Sequence, residues 1–77
     1  MEGTVPLSVS CKAAIGFTAG KVWHALHDQG PMSLRKLVLA IDEPRDLVLQ
    51  AVGWLAREDK IEIEETGRGK VISLKEV

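Results

Sequence analysis

The 77-residue chain contains one cysteine, Cys11, and therefore cannot form an internal disulfide. A chain without disulfides suits a reducing compartment. The N-terminus lacks the basic start and unbroken apolar core of a secretory signal, and Ser8 occupies a position where a lipoprotein signal needs an apolar residue. No run approaches the roughly 18 apolar residues of a membrane span. These absences predict a soluble, cytoplasmic protein with no membrane contact.

Aromatic residues are scarce, with one Phe, two Trp and no Tyr in the whole chain. Trp23 and Trp54 neighbour apolar residues at helical spacing, so we expect both to anchor the core. An apolar share of 45% is ordinary for a globular chain, and 77 residues suffice for one domain near the lower size limit of a core without disulfides.

A basic excess is also missing, because the net charge is −1. Dedicated DNA-binding domains usually carry a visible positive excess, so this balance argues against strong nonspecific affinity for nucleic acids. It leaves room for a local basic patch.

Residues that carry catalytic or metal chemistry are few and scattered. His24 and His27 lie three positions apart with no second pair of ligands, so we expect no metal site. The segment 16–22 is one residue too short between its glycines for a phosphate loop, and Val22 replaces the hydroxyl residue that magnesium needs. We therefore predict a non-enzyme without catalytic residues, cofactor or small-molecule substrate.

The most informative stretch is residues 44–63, PRDLVLQAVGWLAREDKIEI. Its spacing predicts an amphipathic helix over 44–58, followed by a strand in which Ile61 and Ile63 alternate with glutamates. One face of this helix carries the apolar side chains of Leu47, Val48, Ala51, Trp54 and Leu55. A helix that leads directly into a hairpin is typical of the junction between the recognition helix and the wing in winged helix-turn-helix domains.

The first 43 residues supply the other two helices. Residues 1–9 have no helical period and are expected to form a tail or an edge strand, with the domain spanning 10–77. A helical pattern runs from about Ser10 to the terminator pair Gly30-Pro31, and Phe17 points away from its apolar face, which favours a break or an exposed contact there. Ser33 is a good N-cap for a second helix.

A very short strand fits between the first two helices, and the segment 60–74 reads as a hairpin wing. Its turn, ETGRGK over 65–70, contains Gly67 and Gly69, which we expect to supply positive-φ positions. The predicted class is therefore α+β, mainly α: a winged helix-turn-helix of three helices, a very short first strand and a C-terminal β-hairpin.

Two segments, TAGKVWHAL (18–26) and GWLAREDKIEI (53–63), resemble a small bacterial family of free-standing winged helix-turn-helix proteins. The resemblance extends over residues 16–63. Members of that family are described as uncharacterised or as DNA-binding, so the resemblance implies the fold and offers no catalytic or ligand residue to transfer.

The fold implies a function in which the third helix lies in the major groove of DNA while the wing contacts phosphate. Polar side chains of the third helix would read base edges, and basic residues of the second helix and the wing would contact the backbone. The predicted DNA-binding residues are Arg35, Lys36, Arg45, Gln50, Arg57, Arg68 and Lys70. A solvated surface of mixed charge is an equally good interpretation, because glutamates flank the wing. Such domains gain specificity by pairing half-sites, so we expect a homodimer.

The alternative function is a protein-interaction or dimerisation adaptor. The predicted outer face of helix 44–58 carries an apolar strip with a central glycine, which suits the close approach of another helix. The residues of this predicted interface are Leu49, Val52, Gly53 and Ala56.

Overall fold

A computed structural model describes the backbone of residues 7–75 and the side chains of residues 12–75. The elements, in chain order, are α1 (Leu7–Gln29), β1 (Met32–Ser33), α2 (Leu34–Ala40), α3 (Arg45–Arg57), β2 (Ile61–Thr66) and β3 (Gly69–Leu74). This order confirms the predicted α+β class, with three helices, a very short first strand and a C-terminal antiparallel hairpin.

Helix α1 is a continuous helix of 23 residues. Residues 7–9, expected in a tail or an edge strand, instead form its first turn, and residues 1–6 lie outside the described part of the chain. The helix passes Phe17 without the predicted break and leaves that ring 66% exposed, so the expected outward position of Phe17 is confirmed. It ends at Gly30, whose φ of 81° suits a residue without a Cβ and whose N–H donates to the Leu26 carbonyl at 2.8 Å.

Helix α2 begins at the predicted cap. The Ser33 side chain accepts a hydrogen bond from the Lys36 N–H at 3.0 Å, which satisfies one of the free donors of the first turn. At the other end, the Ile41 N–H donates to the Leu37 carbonyl at 3.0 Å. The short connection to α3 is tied to α1 by Lys21, whose Nζ lies 2.6 Å from Glu43 Oε2.

The three strands form one antiparallel sheet in the order β1-β3-β2. In the short pairing, Met32 faces Ile72 and Ser33 faces Val71, so the residues just before α2 are fastened to the wing. The hairpin pairs from Ile61 opposite Leu74 to Thr66 opposite Gly69. The sheet therefore fixes where the start of α2 lies relative to the hairpin.

Local hydrogen bonds and one glycine shape the wing turn. The Thr66 hydroxyl donates to the Gly69 carbonyl at 3.1 Å and accepts from the Arg68 N–H at 3.3 Å. Gly69 has a φ of 150°, which favours glycine, whereas Gly67 does not have a positive φ. The expectation of two positive-φ glycines is thus correct for Gly69 and wrong for Gly67.

A second turn joins α3 to the hairpin. Asp59 has a φ of 62°, in the left-handed region that aspartate tolerates better than most residues. Its carboxylate lies 2.6 Å from the Nζ of Lys75, and this hydrogen bond raises the pKa of Lys75. The backbone closes the same junction, because the Lys75 N–H donates to the Lys60 carbonyl at 2.9 Å.

The core is a single apolar cluster to which all three helices and the sheet contribute. Its buried members are Ala19, Val22, Leu26, Met32, Leu37, Ile41, Val48, Ala51, Val52, Leu55, Ile61 and Ile72. Thr18 is also buried, and its hydroxyl has no hydrogen-bond partner among the described residues. Within residues 7–75, no helix combines the length and hydrophobicity needed to cross a membrane.

The inward face of α3 differs from the prediction. Val52, expected on the outer face, is 5% exposed, and Trp54, expected in the core, is 46% exposed. Val48, Ala51 and Leu55 are buried as expected. At about 100° per residue, the observed buried face of α3 is rotated about the helix axis by roughly 50° from the predicted one. The physical reason is that Val52 belongs to the core cluster shared by the helices and the sheet, so the buried arc of α3 extends to it.

We expect Val52→Asp to destabilise the domain by about 3–5 kcal/mol, because it places an unpaired carboxylate in the core. Gln50→Asp introduces the same side chain at an exposed position of the same helix and should change the free energy of unfolding by about 0.5 kcal/mol or less. Urea unfolding followed by circular dichroism measures both. A Val52→Asp variant as stable as the parent would show that this side chain faces solvent.

The wing turn allows a second matched pair of variants. Gly69→Ala forces a Cβ into a strained φ and should cost about 1–3 kcal/mol, whereas Gly67→Ala should be close to neutral. An added Cβ meets nothing within 4 Å at either glycine, so steric contact does not distinguish them. Thermal unfolding of the two variants checks this expectation, and equal melting temperatures would contradict it.

Candidate nucleic-acid interface

Basic side chains from three elements line one cleft of about 350 Å³. Arg35 comes from the first turn of α2, Arg45 begins α3, and Arg68 and Lys70 belong to the wing. Ser33, Leu34 and Gly69 complete the lining. The elements meet here because β1 pairs with β3, which holds Ser33 opposite Val71, one residue beyond Lys70.

The cleft is electropositive because few acidic groups accompany its basic ones. Among the described residues, no carboxylate lies within 4.0 Å of the guanidinium groups of Arg35, Arg45 or Arg68. Lys70 does have a partner, since its Nζ lies 3.0 Å from Glu65 Oε2 in an exposed ion pair. Exposed pairs of this kind contribute little free energy and exchange readily with other ligands. The arrangement can therefore attract an anion.

The structure divides the seven predicted DNA-binding residues into two groups. Four of them, Arg35, Arg45, Arg68 and Lys70, line the cleft together. The other three, Lys36, Gln50 and Arg57, are exposed but do not line it. Arg45 and Arg57 stand at opposite ends of α3, roughly 18 Å apart along its axis. The basic character is therefore concentrated at the N-terminal end of α3.

The exposed face of α3 carries few groups that read bases. Gln50 offers both a donor and an acceptor, and Arg57 offers donors. Gly53 has no side chain, and the exposed Asp46 adds negative charge near the start of the helix. This face therefore permits only a small number of direct contacts with base edges.

The predicted protein-interaction strip on α3 is not open. Val52 is buried, Ala56 packs against the core, and Leu49 is half-buried, so Gly53 is the one fully exposed member. The prediction of a contiguous apolar strip was therefore wrong. It failed because the rotation of α3 turns Val52 and Ala56 toward the molecule's own core.

Exposed apolar side chains occur elsewhere, where sequence reasoning had largely missed them. Leu39 of α2 is 79% exposed, and Phe17 lies against a groove of about 680 Å³ between α1 and the end of α2. The Lys21 ammonium lies 4.9 Å from the centre of the Phe17 ring. The helical period had placed Phe17 outside, but no comparable signal identified Leu39.

The two histidines of α1 contact an aromatic ring. The His27 ring stacks on Trp23 with centroids 4.9 Å apart, and His24 meets the same indole edge-on at 5.3 Å. In the part of the chain that the structure describes, no three potential metal ligands come together. The side chain of Cys11 lies outside that part.

Comparison with known proteins gives consistent results. An uncharacterized protein of Methanocaldococcus jannaschii is 38% identical over 63 residues, which cover 79% of this chain and 90% of that protein. The solution NMR structure of a Bacteroides thetaiotaomicron protein superposes with a TM-score of 0.73 at 38% identity, covering 82% of this chain and 77% of that one.

A match to a family extends over nearly the whole described chain. Residues 11–74 match the family described as Winged helix-turn-helix domain (DUF2582). The matched residues include α2, α3 and the full hairpin. The element order and the sheet topology agree with that description. The chain therefore belongs to the DUF2582 family of winged helix-turn-helix domains.

Proposed function

We propose that this protein is a double-stranded DNA-binding module of transcription-regulator type, acting in the cytoplasm without catalysis or a cofactor. Helix α3 serves as the recognition helix and the β2–β3 hairpin as the wing. The observation that supports this proposal is the cleft in which Arg35, Arg45 and Arg68 converge from α2, α3 and the wing.

The proposal assigns different roles to the two ends of α3. A helix about 10–12 Å across fits a major groove about 12 Å wide, so α3 can enter it side-on. The cleft at its N-terminal end would then hold the flanking phosphate backbone, while Gln50 and Arg57 face the groove. Lys36, exposed beside Arg35, adds a further backbone contact.

Affinity in this arrangement comes mainly from phosphate contacts. Four cleft cations that neutralise four phosphates would give a salt slope of about −3.6. Base reading rests mostly on Gln50, so one copy discriminates weakly among sequences. Pairing of two copies on adjacent half-sites would raise that discrimination, which is why the proposal includes a homodimer.

Titration of labelled duplex DNA at increasing salt tests the function. We expect binding to weaken by about 60- to 150-fold between 50 and 200 mM salt, as a slope of roughly −3 to −3.6 requires. Fluorescence anisotropy measures the dissociation constant at each concentration. Gln50→Ala should reduce discrimination among duplexes of different sequence and leave the salt slope unchanged. Failure to bind any duplex at low salt would refute the proposal.

A second candidate function is contact with another protein or with a second copy of this chain. The exposure of Leu39 (79%) and Phe17 (66%) favours it, because a partner that covers such large apolar side chains removes them from water. Light scattering across a concentration series should reveal a dimer, and Leu39→Glu should shift it toward the monomer. A monomeric mass at every concentration would exclude self-association.

A further inference from the structure

We infer that the basic cleft is a discrete phosphate-binding site, which a free phosphate group and a DNA backbone phosphate occupy in competition. The competition with DNA rests on the proposed function. Binding of phosphate itself does not, because it depends only on the cleft.

The residues of the cleft are held in place before any ligand arrives. Arg35 lies in the first turn of a helix capped by Ser33, and Arg68 follows Thr66, whose hydroxyl accepts the Arg68 N–H. Arg45 is the first residue of α3. Because helices carry Arg35 and Arg45, and a hydrogen-bonded turn carries Arg68, little backbone entropy is lost when an anion binds.

The chemistry of the side chains favours phosphate over a monovalent anion. A guanidinium group donates two parallel hydrogen bonds to phosphate oxygens, and such charge-assisted pairs are stronger than neutral ones. In the described chain, none of the three guanidinium groups has a carboxylate within 4.0 Å, so each is free to bind an external anion. A dianion is attracted to each of these charges about twice as strongly as chloride at the same distance.

The size of the cleft allows more than an isolated phosphate. A volume of about 350 Å³ is at the lower end of the usual range for ligand pockets, roughly 300–1,000 Å³. A phosphate with an attached sugar therefore fits, whether it belongs to a nucleic acid or to a small phosphorylated compound. Among the described residues, Leu34 is the one large apolar side chain of the lining, so this part of the cleft offers little to an acidic peptide beyond its charge.

The first experiment titrates the full chain with inorganic phosphate while chloride is adjusted to constant ionic strength, and follows backbone amides by NMR. We expect saturable shifts centred on Ser33, Arg45 and residues 68–70. Arg45→Gln should weaken phosphate binding roughly tenfold. Lys60→Gln, which removes the same charge from an exposed position outside the cleft, should leave binding unchanged.

Three results would refute the proposed phosphate site. They are chemical shifts that do not saturate, an equal loss of phosphate affinity in both variants, or an affinity for polyglutamate of matched charge that equals the affinity for phosphate. An equal loss would mean that net charge alone governs binding. Circular dichroism of each variant ensures that a loss of binding is not a loss of folding.

The second experiment measures whether phosphate competes with labelled duplex DNA for the protein. Phosphate should displace the duplex more effectively than chloride at equal ionic strength, and Arg45→Gln should reduce the salt slope by about 0.9. If neither Arg45→Gln nor phosphate affects duplex binding, the proposed phosphate site is refuted and the proposed DNA-binding function remains. Saturable phosphate binding without duplex binding would refute the proposed function and assign the cleft to a small phosphorylated compound.

Discussion

The two-residue pairing of β1 with β3 is the constraint on which the functional surface depends. Met32 and Ser33 are paired with Ile72 and Val71, and Met32 and Ile72 are both buried in the core. The same residues lie immediately before α2, so the pairing sets the position of Arg35 relative to the wing. The hairpin also packs on the helices through the core residues Ile61 and Ile72, but the ladder is what pairs it with the residues just before α2. A very small piece of sheet thus determines whether the basic residues meet.

The core accounts for why so short a sheet is sufficient. In a chain of this size the free energy of folding is a small difference between large terms, so each buried side chain matters. Ile72 is fully buried between the helices and the sheet, and its neighbour across the ladder, Met32, is 5% exposed. Burial of each such side chain contributes about 1.5–3 kcal/mol relative to exposure. The ladder is therefore held by apolar packing as much as by its own hydrogen bonds.

Sequence reasoning recovered the elements because local signals determine them. The alternation at Ile61 and Ile63, the Ser33 cap and the Gly30-Pro31 terminator each act within a few residues of chain. The rotation of α3 could not be obtained in this way. Its apolar residues cover an arc wide enough to accept either Val52 or Trp54 inward, and the choice depends on how α3 packs against the rest of the core, to which α1, α2 and the sheet contribute. The error at Gly67 has a local source, since the turn contains two glycines and either of them can take a positive φ, which in the structure is Gly69.

The net charge of the chain does not reveal the local positive charge of the candidate cleft. A net charge of −1 argued against strong nonspecific affinity for nucleic acids, yet that number averages over the whole surface. Electrostatic attraction at physiological salt acts over about 8 Å, so a ligand responds to the charges near its own position. Glu62 and Glu64 lie on β2, whereas the cleft is lined from β3 and the starts of α2 and α3. Lys70 is paired with Glu65, but among the described residues the three arginines of the cleft have no carboxylate within 4.0 Å, so the cleft remains locally positive. Charge balance over a sequence therefore limits long-range attraction and says little about a site that the fold assembles.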